Sequence, residues 1–276
     1  MHPETVLVTF GGGTRVWRWR ALTLSRRARA LGLFDQVVCL NDRNLDDLVD
    51  GFTVRHAQLI QHSERGFGLW LWKPAILMEL LAVKRPRVVV YLDAGCDIGT
   101  SPAARAAWEE MLGRTSATGI SVFECEAPGA TEIAYTKADL LELLRVAPDD
   151  RLSRQAMGGA LAISNSGQAV SLVARWLEIA TRDDYHFLDD SPSIREEDAA
   201  FVAHRHDQSV LSCLCKTSGV SLLPNPEAVV PGALADRPFL TARNRGFTST
   251  ANQGLLARSE RVVIRRLVSM KQAVRG

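Results

Sequence analysis

The sequence contains no run near the roughly 18 uninterrupted apolar residues that a bilayer-spanning helix needs, no internal repeat and no low-complexity linker. Membrane-embedded, solenoid and fibrous architectures are therefore not expected. Charge of one sign is also lacking: Lys and Arg nearly balance Asp and Glu, and a net charge of +2 gives no electrostatic reason to expect a nucleic-acid partner. Cysteines are few and odd in number. The five, Cys39, Cys96, Cys125, Cys213 and Cys215, have no paired spacing that would build a zinc site, so reduced thiols in a cytoplasmic protein are expected. Met1-His-Pro-Glu-Thr5 runs straight into the strand-like Val6–Phe10, which leads us to expect no signal peptide. What remains is 276 residues, 46% of them hydrophobic, enough for a substantial globular core.

Strand-like and helix-like segments alternate along that length. Val6–Phe10 ends at Gly11-Gly-Gly13 and is followed by an Arg-rich helical stretch over Arg20–Leu31 and a second strand at Gln36–Leu40. Pro74 suits the first turn of a helix reaching Val83, because its missing N–H costs nothing there. Further strands are expected at Val88–Leu92, Gly119–Phe123 and Ala160–Ser164, and helices at Lys137–Arg145, Gln168–Thr181 and Asp207–Lys216. This alternation predicts an α/β fold: a mostly parallel, Rossmann-like sheet flanked by helices. Asp183–Glu197, rich in Asp, Ser and Pro, reads as a long loop, either a lid or a solvated connection. Beyond Ala251 a basic amphipathic helix is expected, with Arg258, Arg261, Arg265, Arg266, Lys271 and Arg275 between Val262, Ile264, Leu267 and Met270. It would pack on the protein itself or make peripheral contact with an anionic membrane surface.

Three segments carry chemistry. The β-branched run Val88–Leu92 stops at Asp93-Ala-Gly-Cys-Asp97-Ile-Gly99, delivering carboxylates to the C-terminal edge of the sheet, where open α/β sheets bind ligands. Arg65-Gly-Phe-Gly-Leu-Trp-Leu-Trp-Lys73-Pro crowds two glycines, two tryptophans and two cations ahead of a helix, a pattern suited to a diphosphate. Trp70 and Trp72 as core aromatics with Lys73 on the surface is the competing reading. His204-Arg-His206-Asp207-Gln208 opens an apolar helix, where His206 and Asp207 suit a divalent ion shared with Asp93 or Asp97. Gln208 suits a sugar hydroxyl there, and Asp207 equally suits a helix cap. Gly158 and Gly159 at a strand start suggest close approach of a ligand or tight strand packing.

Arg65–Pro74, Tyr91-Leu-Asp-Ala-Gly-Cys96, Tyr135-Thr-Lys-Ala-Asp139 and His204–Ser209, in this order and spacing, resemble a group of bacterial glycosyltransferase-like proteins associated with capsule and surface-polysaccharide synthesis. The resemblance covers about residues 5–224 and leaves 225–276 as a C-terminal extension. It implies a GT-A fold, a nucleotide-diphospho-sugar donor such as a UDP-sugar, a saccharide or other hydroxyl acceptor, and Mn²⁺ or Mg²⁺. Thr9 and Phe10 would face the nucleotide base, Lys73 and Arg65 the phosphates, and Gly158, Gly159 and Gln208 the donor. Asp93, Asp97 and His206 would hold the metal. Gly95 stands where an Asp-X-Asp motif has its second carboxylate, which leaves two readings open: Asp97 substitutes for it, or the site binds metal weakly and Lys73 with nearby arginines neutralises the leaving diphosphate.

Breaking a sugar–phosphate bond leaves negative charge on the departing diphosphate, which fixed cations stabilise. An inverting reaction also needs a carboxylate to deprotonate the acceptor, and Asp189, Asp190 and Asp207 are the candidates beside Asp93. Two alternatives stand. One is an S-adenosylmethionine-dependent methyltransferase, with Asp93–Gly99 as an imperfect Gly-X-Gly-X-Gly turn and Glu124 on the ribose. The other is a non-catalytic nucleotide-sugar-binding module.

Overall fold

The computed structural model describes residues 4–226 and 236–241. The chain divides into two compact units, Met1–Thr241 and Ala242–Gly276, so the basic helix expected beyond Ala251 lies outside the described residues. Seven strands are present among those described: β1 (Thr5–Phe10), β2 (Gln36–Leu40), β3 (Val88–Leu92), β4 (Cys96–Ile98), β5 (Ile120–Glu124), β6 (Ala156–Ser164) and β7 (Phe239–Thr241). The main sheet has the order β2-β1-β3-β6-β5, and β4 with β7 forms a small second sheet. β7 thus joins residues beyond 224 to the first unit.

β1 pairs in parallel with β2 and β3, while β6 pairs antiparallel with both β3 and β5. Four strands therefore point one way and β6 alone is reversed, giving the mostly parallel α/β sheet that the alternation predicts. The sequence does not disclose the reversal, because a strand buried on both faces is a continuous apolar run in either direction. β6 also begins at Ala156, so Gly158 and Gly159 lie inside the strand and not at its start.

Period-two alternation sorts the core into two layers. Val6, Val8, Val89, Tyr91, Leu161 and Ile163 face the helices Trp72–Glu79, Gly167–Tyr185 and Asp207–Thr217. Leu7, Val88, Val90, Ala160 and Ala162 face the helices Arg15–Leu31 and Pro102–Thr118. Trp176 anchors one layer and Trp108 the other, both fully buried. Burying about 200 Å² for each contributes about 5 kcal/mol at about 25 cal/mol per Å². Gly66–Lys84 is long and apolar enough to cross a membrane by length and composition, but its Trp72, Ile76, Leu77 and Leu80 are packed in the first layer.

From β1 the chain moves outward to β2 and then returns to place β3 on the other side of β1. The helix after β1 and the helix before β3 lie on opposite faces of the sheet. The carboxyl ends of β1 and β3, at Gly11–Gly13 and Asp93, therefore flank a topological switch point, the place where open α/β sheets have their ligand crevice.

Candidate functional site

Asp93 follows the last residue of β3, and its N–H donates to Gly159 O of β6 at 2.8 Å. Tyr91, two residues earlier, points to the same side, so its hydroxyl donates to Asp93 Oδ1 at 2.5 Å. Lys73, in the first turn of the Trp72–Glu79 helix, sends its ammonium between two carboxylates. It donates to Asp207 Oδ2, lies 3.9 Å from Asp93 Oδ1, and also donates to Gly158 O at 2.8 Å. It further sits 5.1 Å from the Tyr91 ring centroid. Lys73 and Asp207 are 2% and 4% exposed, so this ion pair is almost wholly out of water. At Gly159 an added Cβ would lie 3.1 Å from Asp93 Oδ2, and at Gly158 it would lie 3.1 Å from the Gln208 side chain. These glycines admit the site's own side chains.

Above this triad is a more open rim. Arg65 donates to His206 Nε2 at 2.8 Å, and Asp190 stands 3.7 Å from both Arg65 and His206 Nε2. His206 Nε2 is thus an acceptor, and the proton on Nδ1 is donated to Leu188 O at 2.8 Å. Burial, reinforced by the Arg65 charge, holds its pKa below the ordinary value and keeps the ring neutral. The His206 ring lies 5.6 Å from that of Trp70.

Trp70 ends an unusual turn. Gly66, Phe67, Gly68, Leu69 and Trp70 all have positive φ, between 49° and 80°, forming a left-handed helical turn. Each of the three residues with a side chain costs about 1–2 kcal/mol in that conformation. A Cβ at Gly66 would lie 2.5 Å from the Trp70 ring, so both glycines serve the turn itself. The turn is held by Trp70 N–H to Gly66 O at 3.2 Å and by Trp72 Nε1–H to the same oxygen at 2.9 Å. Such strain is retained where the surroundings over-determine it, commonly beside a functional site.

The expected Asp183–Glu197 loop is fastened down. Lys137 Nζ donates to His186 O, Asp189 Oδ1 and Ser191 Oγ at 2.6, 2.9 and 3.1 Å. Asp139 accepts the N–H groups of Ile194 and Arg195 and a bond from His186 Nε2. Glu197 accepts Ala138 N–H. His204 donates to Phe187 O and accepts Lys137 N–H. Burial, with the nearby His206 and Lys137, pushes the pKa of His204 down to about 3. Tyr135–Asp139 and His204–His206 thus grip one segment from two sides, which leaves Asp190 projecting at the rim, 62% exposed in its side chain.

Several sequence expectations change with these contacts. Phe10 is core: its ring stacks on Trp72 at 4.1 Å, so it is not presented to a nucleotide base. Thr9 is also fully buried, although its hydroxyl has no hydrogen-bond partner among the described residues. Lys73 is enclosed by protein and serves the two carboxylates, not an outer phosphate. Asp97 lies in β4, ion-paired with Arg27 and accepting Ile98 N–H, apart from Asp93. Gln208 is spent on Gly158 N–H and Gln155, and Asp189 on Lys137. Arg65 and Asp190 remain at the rim.

The donor set expected for a divalent cation, Asp93, Asp97 and His206, does not fit one. Asp97 is held by an arginine, His206 Nε2 accepts from another, and an ammonium already lies between Asp93 and Asp207. No group of three or more His, Cys, Asp or Glu side chains among the described residues is arranged to hold a metal ion.

The sequence motifs include Tyr91, Lys137 and Asp139 without giving them a role: Tyr91 is detectable as a hydroxyl two positions before Asp93 on the same strand face, and Lys137 with Asp139 forms the latch. The sequence reading missed the buried network of Glu132, which binds Ser212, Thr136, Gln155 and Lys216 beneath the site.

No family model and no curated protein matches this sequence. Among solved structures the chain is similar to mouse xyloside xylosyltransferase 1 in its apo form, at 14% identity and a TM-score of 0.40, covering 80% of this chain and 84% of that one. It is also similar to the WbbM bifunctional glycosyltransferase in its apo form, at 12% identity and a TM-score of 0.46. That alignment covers 82% of this chain and 39% of the other. At such distances the functional reading rests on the chain's own site.

Proposed function

We propose that the protein is a glycosyltransferase that moves a sugar from a nucleotide-diphospho-sugar, such as a UDP-sugar, to the hydroxyl of a saccharide or other glycoconjugate acceptor. The observation that carries this reading is the buried Asp93–Lys73–Asp207 triad at the β1/β3 switch point, opening onto the Arg65–His206–Asp190 rim. A switch-point crevice is where an open α/β sheet takes a nucleotide. Asp93 at the end of β3 is placed to accept hydrogen bonds from sugar or ribose hydroxyls, with Tyr91 and Lys73 fixing its orientation. The unpartnered Thr9 hydroxyl beneath the crevice is a further hydrogen-bonding group at the end of β1.

In this reading Arg65 offsets charge developing on the leaving diphosphate, and being fixed by His206 it needs little reorganisation as that charge appears. Asp190, exposed beside Arg65, is the carboxylate best placed to take the acceptor proton. Lys73 acts as a positioning residue. The methyltransferase alternative loses its warrant, because Cys96–Ile98 forms β4, paired with β7, where that reading needs a glycine turn entering a helix.

The test is turnover by the purified chain on UDP-, GDP- and CDP-sugars, with and without Mn²⁺, read as free nucleoside diphosphate. Release with one donor base, lost in an Asp93→Asn variant that still unfolds cooperatively, supports the proposal. Tight nucleotide binding without release under any condition makes the chain a binding module and defeats it.

A further inference from the structure

We infer that the outer face of the Arg15–Leu31 helix is a docking surface for an anionic lipid membrane. The helix buries Ala21, Leu24, Ser25, Ala28 and Leu31 against the sheet, a stripe of mostly small side chains that brings it close to β1 and β2. On the opposite side it exposes three large apolar residues: Val16, Trp19 and Leu22 are 59%, 52% and 38% accessible. At 100° per residue Trp19 lies at the centre of this face, with Val16 and Leu22 on either side. Arg15 and Arg26 fall within the same arc. Neither has a hydrogen-bond or ion-pair partner among the described residues.

Charge decides the occupant. The helix carries six arginines and no acidic residue, and four of the six remain after Arg18 and Arg27 pair with Asp42 and Asp97. Its own charge thus exceeds the +2 of the whole chain, and the remainder of the protein is net acidic. A second copy of the chain would bring a like-charged helix to a symmetric contact here. An anionic bilayer instead matches both features, with indole and aliphatic side chains at the headgroup boundary and guanidinium groups on lipid phosphates. The other strongly exposed apolar residues, such as Ile194 and Val202, lie outside this helix.

The patch begins two residues after Thr14, which caps the helix directly beyond the glycine turn at the crevice. Docking would hold the crevice near the lipid surface. The inference does not depend on the chemistry proposed for that crevice.

The experiment is co-sedimentation of the full chain with vesicles of phosphatidylcholine alone and with about one-third phosphatidylglycerol. A basic residue at an anionic surface contributes about 1 kcal/mol, about fivefold in partitioning. Reversing both charges in Arg15→Glu/Arg26→Glu should therefore lower partitioning into anionic vesicles at least about 25-fold. Trp19→Ser should also release the protein, whereas Ile194→Ser, removing a still more exposed apolar side chain elsewhere, should not. Unchanged melting temperatures would separate these effects from misfolding. Full binding by the double variant, equal binding to neutral vesicles, no binding by the parent, or self-association abolished by Trp19→Ser would each overturn the inference. Loss of vesicle binding with donor turnover intact keeps this result distinct from the fate of the transferase proposal.

Discussion

Replacing Lys73 by methionine keeps most of the side-chain volume and removes its charge. The ammonium is 2% exposed and joins Asp207, Asp93 and Gly158 O, so the substitution strands two carboxylates and a carbonyl in a site nearly closed to water. Breaking a buried ion pair by deleting one partner costs about 3–5 kcal/mol. For a domain of this size that is a fall in melting temperature of roughly 6–20 °C. The assay is urea unfolding followed by tryptophan fluorescence, since Trp70 and Trp72 flank the position. The informative comparison is a cycle with Asp207→Asn. Once one carboxylate is neutral, losing the lysine costs less, so the double variant should be more stable than additivity predicts by at least about 1 kcal/mol. A Lys73→Met protein within about 1 kcal/mol of the parent, or strictly additive substitutions, would refute the triad as a coupled unit.

Tyr91→Phe removes the hydroxyl that holds Asp93 Oδ1; it should cost about 1–2 kcal/mol of stability and, in a turnover assay, lower kcat more than it raises KM. Asp139→Asn weakens the latch on residues 186–197, and hydrogen–deuterium exchange should show faster exchange at Ile194 and Arg195 with the strands of the main sheet unchanged. Acid should destabilise the fold through His204. Its folded pKa of about 3 lies below the ordinary 6.5, so the unfolded chain binds the extra proton between those values. The histidine's contribution is complete above about pH 6.5 and is lost as pH falls toward 3, at about 1.4 kcal/mol per pH unit once the unfolded histidine is protonated. His204→Gln should flatten the stability curve by about one proton in that range; an unaltered slope would show that His204 is not the group responsible.

What could be read from the sequence was local. Val88–Leu92 followed by Asp93 declares a buried strand ending in a carboxylate, and Pro74 declares a helix start, because each depends on neighbours in the chain. Lys73 and Asp207 stand 134 residues apart, and no periodicity announces that one will enclose the other's charge. The same limit hid the role of Lys137 and Asp139, whose partners lie about fifty residues downstream. The left-handed turn was missed for a different reason. Gly66 and Gly68 advertise conformational freedom, but Phe67, Leu69 and Trp70 adopt the same region against their own preference, and only the tertiary packing around them makes that tolerable. Asp97 misled because a carboxylate near a strand end looks alike whether it awaits a ligand or, as here, faces Arg27.

The reversed strand β6 also governs the order in which a growing chain can become a protein. β3 pairs with β1 on one side, but its other edge waits for Ala160–Ser164. β5, which leaves the ribosome earlier, reaches the sheet only through β6. At about 5–20 residues per second, the largely apolar edge of Val88–Leu92 stays uncovered for roughly 3–14 s of synthesis. During that interval the nascent protein offers a sticky template to other chains, and it should engage hydrophobic-binding chaperones. Arrested nascent chains ending near residue 150 should be open to protease, whereas chains with β6 fully emerged should resist it; equal resistance at both lengths would show that the sheet closes by another route.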